Sequence, residues 1–555
     1  MAELTTRMWI KADSSFKYPE QTLTDITSRP NIGVCFSGGG TRAMSAAMGQ
    51  MRALNQYKLF PAIRYISCVS GGSWASTIFC YYRTGATSDD DLLGPVTPAE
   101  KITQRHLDTS LTSARLAYGA TKWLAGIIAE WELFPDFEYT SNDVWIYSIS
   151  EAYLQDFGLF DAHSAAYHPT KLPYYSWDDN RVADIKAKNP TLEDSTFYTS
   201  RPNRPYLIVN SCILLPQDKP TQDGNVHFEY TPLTVGRGTL SESQGRAYGG
   251  GFIEPFAFRS QAPMGSGPWS NGAYVQLSGQ DRPFTLADTT GTSSSAYAEV
   301  LIDDFSISRF DPKSEYFPVQ PSGPLNSAQT FFGDGGILEN QGIIPLLQRG
   351  VTTIFAFINT EAKLSLDYHP NSNGGDPNND PNGYCDTSLP ALFGYSHSTW
   401  KWQYPNNQVF PTVDFPKLIT EFQNLKKQGL PLVVGTQHQV VANSSWGIEA
   451  QTNPVTVVWF YLDRVTQWEK KIPNHYIQEQ IEQGNQSYPE GPFKNFPNYK
   501  TIGQNDFDLV ALSHQQIVLL ADLTCDAMLW KDSSDVAAIF QQAASQAGAS
   551  SCVKS

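Results

Sequence analysis

The stretch Asn31-Ile32-Gly33-Val34-Cys35-Phe36-Ser37-Gly38-Gly39-Gly40, continued by TRAMSAAMGQMRALNQ at 41–56, decides the architecture. Its short apolar run ending in glycines reads as a buried strand that feeds a turn. The Ala-, Met- and Leu-rich segment 41–56 then reads as a helix. A second apolar run, Arg64 to Val69, meets Ser70-Gly71-Gly72, and helical character resumes over 73–83. The first ninety residues are thus strand–helix–strand–helix, the opening of an α/β sheet.

The loop Ser37-Gly38-Gly39-Gly40-Thr41-Arg42-Ala43 sits at a helix N-terminus, where outward-facing amides suit an anion. Gly38, Gly40 and Ala43 satisfy a dinucleotide spacing, but the next strand ends in Cys68-Val69-Ser70, without the acidic residue a ribose requires. No Gly-Lys-Ser/Thr follows, so a nucleotide P-loop fails too. An oxyanion hole and a glycine turn made for packing both remain open at this point.

The second turn tips the balance. Cys68-Val69-Ser70-Gly71-Gly72 approximates G-x-S-x-G, in which small neighbours let a sharp turn lift a serine clear of the backbone. Ser73 is the rival nucleophile, but it lies past the turn and inside the helix. A serine needs a base. The nine histidines stand in no recognisable triad context, whereas Asp334 lies in Gly333-Asp334-Gly335-Gly336, where glycines let a carboxylate project. A plain turn aspartate is the bland alternative.

Farther along, 90–205 reads as largely helical with Pro- and Asp-rich breaks, an inserted cap. Within it Trp123, Ile127, Trp131 and Phe134 share a helical face, for which packing under that cap is the usual explanation and a lid or membrane-touching role the alternative. Strands are expected at Tyr206–Ile213, His227–Thr231 and Thr352–Ile358, and helices near 511–530 and 534–547. The Asn-, Pro- and Gly-rich run 366–388 must be a loop; Asp376, Asn378 and Asp380 faintly suggest a calcium loop. Pro381 and Thr387 replace its glycine and its chelating glutamate. Residues 1–30 read as an N-terminal leader and 31–555 as one domain that includes the cap.

Lys plus Arg number 39 against 55 Asp plus Glu, a net charge of −16, which argues against nucleic acid and against simple attraction to an anionic bilayer. Seven cysteines at scattered spacings carry neither a CxxC pair nor metal-ligand spacing. With no signal-peptide pattern, a cytoplasmic protein with reduced thiols is expected, needing no cofactor and no metal.

Four segments carry a resemblance to one family. SGGGTRAM at 37–44, CVSGGSW at 68–74, HFEYTPLTVG at 227–236 and DGGILEN at 334–340 with PLLQRGV at 345–351 are similar to motifs of the cytosolic phospholipase A2 and fungal lysophospholipase family, relatives of the patatins. The resemblance spans roughly 30–360. It implies a three-layer α/β fold with a patatin-like central sheet, helices on both faces and an inserted cap or lid. It also implies Ser70 as nucleophile, Asp334 as general base, and an oxyanion hole from Gly39 and Gly40 with Gly38 shaping the turn. Arg42 and Arg349 match arginines tied to activity, Arg42 through phosphate. The implied activity is serine acyl hydrolysis of phospholipid or another acyl-lipid, reached by transient membrane-surface contact. An acyltransferase using the same acyl-serine is the alternative, and a noncatalytic lipid-binding protein a further one. Cys68 replaces a family Gly, Gly335 a Ser and Thr234 a Glu. The thirty residues before the first catalytic strand leave no room for a C2 domain.

Overall fold

The computed structural model describes residues 3–530 except 12, 14–15, 134–138, 219, 222, 297–310, 371–383, 396–403 and 502–510, together with 538, 539, 542 and 545. Its centre is a 13-stranded sheet. In chain order the strands are β1 (Leu4–Ile10), β2 (Ile32–Phe36), β3 (Tyr65–Val69), β4 (Tyr206–Ile213), β5 (Val226–Tyr230), β6 (Val235–Arg237) and β7 (Gly251–Ile253). β8 (Ala273–Leu277), β9 (Lys313–Tyr316), β10 (Ala328–Asp334), β11 (Thr353–Ile358), β12 (Leu432–His438) and β13 (Val455–Tyr461) complete it. The main path runs β8-β1-β7-β6-β5-β4-β3-β2-β11-β13-β12, with β10 pairing both β4 and β9.

The middle of that path is parallel: β4, β3, β2, β11 and β13 share one direction. β2 and β3 are buried at every position, as parallel strands covered on both faces should be. One face is covered by α1 (Gly40–Gln56) and α2 (Gly71–Tyr81), packed with Val34, Phe36, Ile66 and Cys68. The other carries α4 (Ile344–Gln348) and α5 (Phe415–Lys427), packed with Cys35, Tyr65, Tyr206 and Ile354. Between them in the chain comes α3 (Leu286–Ser293), buried along its whole length. Near the end α6 (His514–Leu529) lies along α1 so closely that a Cβ on Gly49 would meet the Ala521 carbonyl at 2.0 Å. The mixed α/β sheet with helices on both faces matches the expectation.

Three readings need amendment. Residues 4–10 are not a leader; β1 is an interior strand, antiparallel to β7 and β8. The Gly-, Ser- and Phe-rich stretch from 232 to 300, for which no element was expected, supplies three short strands of the main sheet, a separate two-stranded sheet of Ser241–Ser243 and Arg246–Tyr248, and α3. The proposed apolar stripe divides: Trp131 is buried, whereas Trp123 is 71% exposed. Phe134, most of the helix expected at 534–547, and Asp376, Asn378 and Asp380 lie outside the described residues. Between 89 and 199 short helices dominate, with one two-stranded sheet of Tyr174–Ser176 and Phe197–Thr199.

Candidate active site

The sheet register brings Ser70 and Asp334 together. β3 runs parallel to β4 and ends with Val69 opposite Asn210. β10 arrives antiparallel and ends with Asp334 opposite Ser211, the next residue of β4. The other edge of β4 is already taken there by β5, whose Phe228 faces Ser211. So β10 must occupy the edge that β3 has just vacated, and the two strand ends meet head to head.

Ser70 is the turn between β3 and α2. Its φ of 50° and ψ of −124° are a conformation that a non-glycine residue adopts at a cost of roughly 1–3 kcal/mol. The surroundings enforce it. A Cβ on Gly71 would meet the Gly40 carbonyl oxygen at 2.1 Å, and one on Gly72 the Phe36 oxygen at 2.5 Å. The Ser70 turn therefore lies backbone against backbone on the glycine loop, which no side chain at 71 or 72 would permit. From the other side the Ser70 amide donates to the Ser293 carbonyl and to its hydroxyl, both at 3.1 Å, at the end of α3. Cys68, the departure from Gly, is fully buried with its thiol directed at the Ile208 carbonyl, so its side chain points away from the turn.

Asp334 is 2% exposed. Burial pushes its carboxyl up to about 7, against the opposing pull of the Gly336 amide, the Ser70 hydroxyl and the Ala296 amide. The Gly336 N–H donates at 2.7 Å and that of Ala296 at 3.4 Å. Gly335 is forced as well: a Cβ there would lie 2.5 Å from the Asn210 carbonyl oxygen, so the family serine does not fit this backbone. No histidine among the described residues bonds Ser70. His227 holds Asn210, His106 holds Asp522 and His438 holds Asp414.

Within the glycine loop the three amides differ. Gly38 donates to the Asn340 carbonyl at 3.1 Å, so its N–H is committed to shaping the turn. Gly39, with φ 133°, caps α1, and Gly40, with φ 53°, begins it. The amides of Gly39 and Gly40 make no hydrogen bond among the described residues. They stand at the positive end of a 17-residue helix, where negative charge is stabilised.

Of the two arginines, Arg42 lies against the glycine loop and Arg349 lies away from it. Arg42 is 5% exposed; its guanidinium donates to the carbonyls of Asn359 (2.9 Å) and Tyr499 (2.5 Å) and to the Thr501 hydroxyl (3.2 Å). Thr501 in turn donates to the Gly39 carbonyl at 2.8 Å. Arg42 thus braces the loop from behind rather than offering its fork to a ligand. Arg349 is not at the site at all. It is buried on the α4 face, pairing with Glu20 (2.7 Å) and Glu229 (2.6 Å), its guanidinium 3.9 Å above the Tyr18 ring. Substrate binding is corrected to a structural ion cluster, a usual role for a planar buried cation.

Sequence reasoning passed over Ser293, Asn210 and Asn340. The Asn340 amide oxygen would lie 2.2 Å from a Cβ on Gly38 and 2.7 Å from one on Gly336, so its side chain sits between the loop and the aspartate turn. The signal for Asn340 was present inside DGGILEN; Ser293 and Asn210 had none.

No family model matches the chain. Local matches do exist: human cytosolic phospholipase A2 zeta is 37% identical over 89 residues, 16% of this chain and 10% of that protein. Human cytosolic phospholipase A2 delta is 31% identical over 104 residues, 19% and 12% respectively. What the chain resembles locally, in both cases, is a cytosolic phospholipase A2. Its matches span about a tenth of the length of those curated relatives. Among solved structures, human GIVD cytosolic phospholipase A2 aligns over 94% of this chain and 61% of its own, at 13% identity and a TM-score of 0.44.

Proposed function

We propose that the chain is a serine lipid acyl hydrolase of the phospholipase A2 or lysophospholipase type. The observation that carries this reading is the strained Ser70 meeting a buried Asp334 whose carboxyl is pushed up to about 7. An ordinary carboxylate is too weak a base for a serine hydroxyl; one held near neutrality in a dry site is matched to the task. Asp334 takes the Ser70 proton as the oxygen attacks the acyl carbonyl. The Gly39 and Gly40 amides receive the charge that builds on the carbonyl oxygen, and an acyl-serine forms. The proton on Asp334 passes to the departing alcohol oxygen as its bond to the acyl carbon breaks, which frees the alcohol product and restores the carboxylate. That carboxylate then takes a proton from water as the water attacks the acyl-serine, and returns it to the Ser70 oxygen as the fatty acid leaves. Arg42 serves by holding the loop, not by contacting phosphate. The phospholipase names of the locally similar relatives support the substrate class.

No helix of the described residues is long and apolar enough to cross a membrane. Contact with a lipid surface is assigned to Trp123 and Leu133, 71% and 75% exposed at the two ends of the apolar helix Leu124–Leu133. Such side chains insert into an interface without needing basic charge. Purified protein with radiolabelled phosphatidylcholine and lysophosphatidylcholine should release fatty acid and bind a fluorophosphonate covalently. Both signals should vanish in Ser70→Ala. A wild type that neither labels nor turns over would end the proposal.

A further inference from the structure

A cavity of about 190 Å³ lies behind the aspartate turn, bounded by Asn225, His227, Arg237, Leu338, Tyr404 and Trp446. It shares His227, Arg237 and Trp446 with an adjoining recess that adds Lys11, Glu229 and Gly238. Arg237 is 6% exposed and makes no ion pair among the described residues. It donates to the carbonyls of Thr239 and His227 and to the Ser241 hydroxyl, which uses three of its five N–H groups. The ammonium of Lys11 likewise has neither an ion pair nor a hydrogen bond among the described residues. It lies over two glycines: its Nζ is 3.4 Å from the place of a Cβ on Gly238 and 3.3 Å from that on Gly447.

The neighbouring acids do not balance these charges. Both Glu229 oxygens bond Arg349, which Glu20 also pairs. Asp223 is exposed at the rim of the larger cavity. Glu449, also exposed, acts on Lys11 only from beyond ion-pair distance, so among the described residues no carboxylate pairs with Arg237 or Lys11. A buried cation without a counter-charge is costly, and a bound anion removes that cost. Burial accordingly presses the ammonium of Lys11 down and the guanidinium of Arg237 down to about 10.

We infer that the cavity, where it opens to the recess, binds a compact oxyanion, a phosphate or phosphomonoester group, with Arg237 and Trp446 lining both spaces and Lys11 reaching the anion from the recess side. Arginine supplies directed donors and lysine a point charge, the pairing that suits tetrahedral oxyanions. The site is separate from the ester-binding side yet touches both catalytic turns. Tyr404 donates to the Gly336 carbonyl at 2.8 Å, and the Gly336 amide holds Asp334. His227 bonds Asn210, whose amide donates to the Cys68 carbonyl at 3.0 Å, two residues before Ser70. Occupancy would therefore be felt at the dyad.

Calorimetric titration of the full chain with inorganic phosphate and with glycerol 3-phosphate, at matched chloride ionic strength, tests this. Saturable binding is expected in wild type and equally in Ser70→Ala. Arg237→Met should abolish it, and Lys11→Gln, at a half-buried position that folds without its charge, should weaken it about tenfold. Competition by phosphatidylcholine vesicles containing phosphatidic acid would name a lipid headgroup as the source, and its absence a soluble phosphate; either upholds the site. No saturable binding, unaltered affinity in Lys11→Gln, or loss of binding in Ser70→Ala would each overturn the inference.

Discussion

Asp334 should impose its titration on both rate and stability. Its carboxyl moves from 3.8 to about 7, chiefly through burial. A displacement of that size corresponds to on the order of 4 kcal/mol between the protonation states. Only the carboxylate can accept the Ser70 proton, so kcat/KM should climb about tenfold per pH unit below neutrality and level off above roughly pH 8. Stability should run the other way. Between pH ~4 and ~7 the folded chain keeps a proton that the unfolded chain has lost, so stability falls as pH rises through that window and stays lowered above it. Asp334→Asn removes the titration. The variant should lack turnover, and its stability relative to wild type should increase between pH 4 and 8 by up to that same ~4 kcal/mol. Stopped-flow acylation by a soluble chromogenic ester gives the rate profile, and urea unfolding across pH gives the stability. A rate that holds its plateau down to pH 5, or a stability difference independent of pH, would refute the reasoning.

Other perturbations separate chemistry from scaffolding. Arg42→Met should lower turnover of phospholipid and of neutral ester by the same factor, since the guanidinium braces the glycine loop; a selective loss on phospholipid would restore a phosphate role. Arg349→Met leaves Glu20 and Glu229 buried without their cation and should cost about 3–5 kcal/mol in denaturant unfolding, with KM of the folded fraction unaltered. Gly335→Ser, which installs the family residue, should lower the melting temperature because its Cβ strikes the Asn210 carbonyl; a neutral outcome would mean that the β4–β10 junction relaxes. Trp123→Ala should reduce hydrolysis of vesicle lipid several-fold while leaving a soluble ester untouched, and equal effects on both would remove its interfacial role.

Most of the parallel centre was legible: β2 and β3 are continuous apolar runs followed by glycines and a helix, and β4 and β11 are largely apolar runs, whereas β13 was not anticipated. β2, β3, β4 and β11 all fall within a residue of where hydrophobic runs place them. β1 was not legible. Its alternating LTTRMWI is an ordinary half-buried pattern, and only the distant partners β7 and β8 make it a sheet strand. The three-residue strands β6 and β7 are too short to carry any period at all. At the site, glycines announced the turns because close backbone approach demands them. Arg349 misled, since sequence gives a residue type and not the direction in which its charge points. Ser293 stayed hidden because it acts on Ser70 through a helix end that no local spacing connects to the elbow.

The head-to-head meeting of β3 and β10 also orders events in the life of the chain. During synthesis Ser70 and its glycine loop emerge and can close into strand and helix long before Asp334 has been made. A long sequence separation makes their pairing one of the late steps of folding. Until β10 slides in along β4, Ser70 has no carboxylate beside it. A half-made chain, or one truncated before Gly333, would carry the serine turn without its carboxylate, so the docking of β10 is the step that completes the pair.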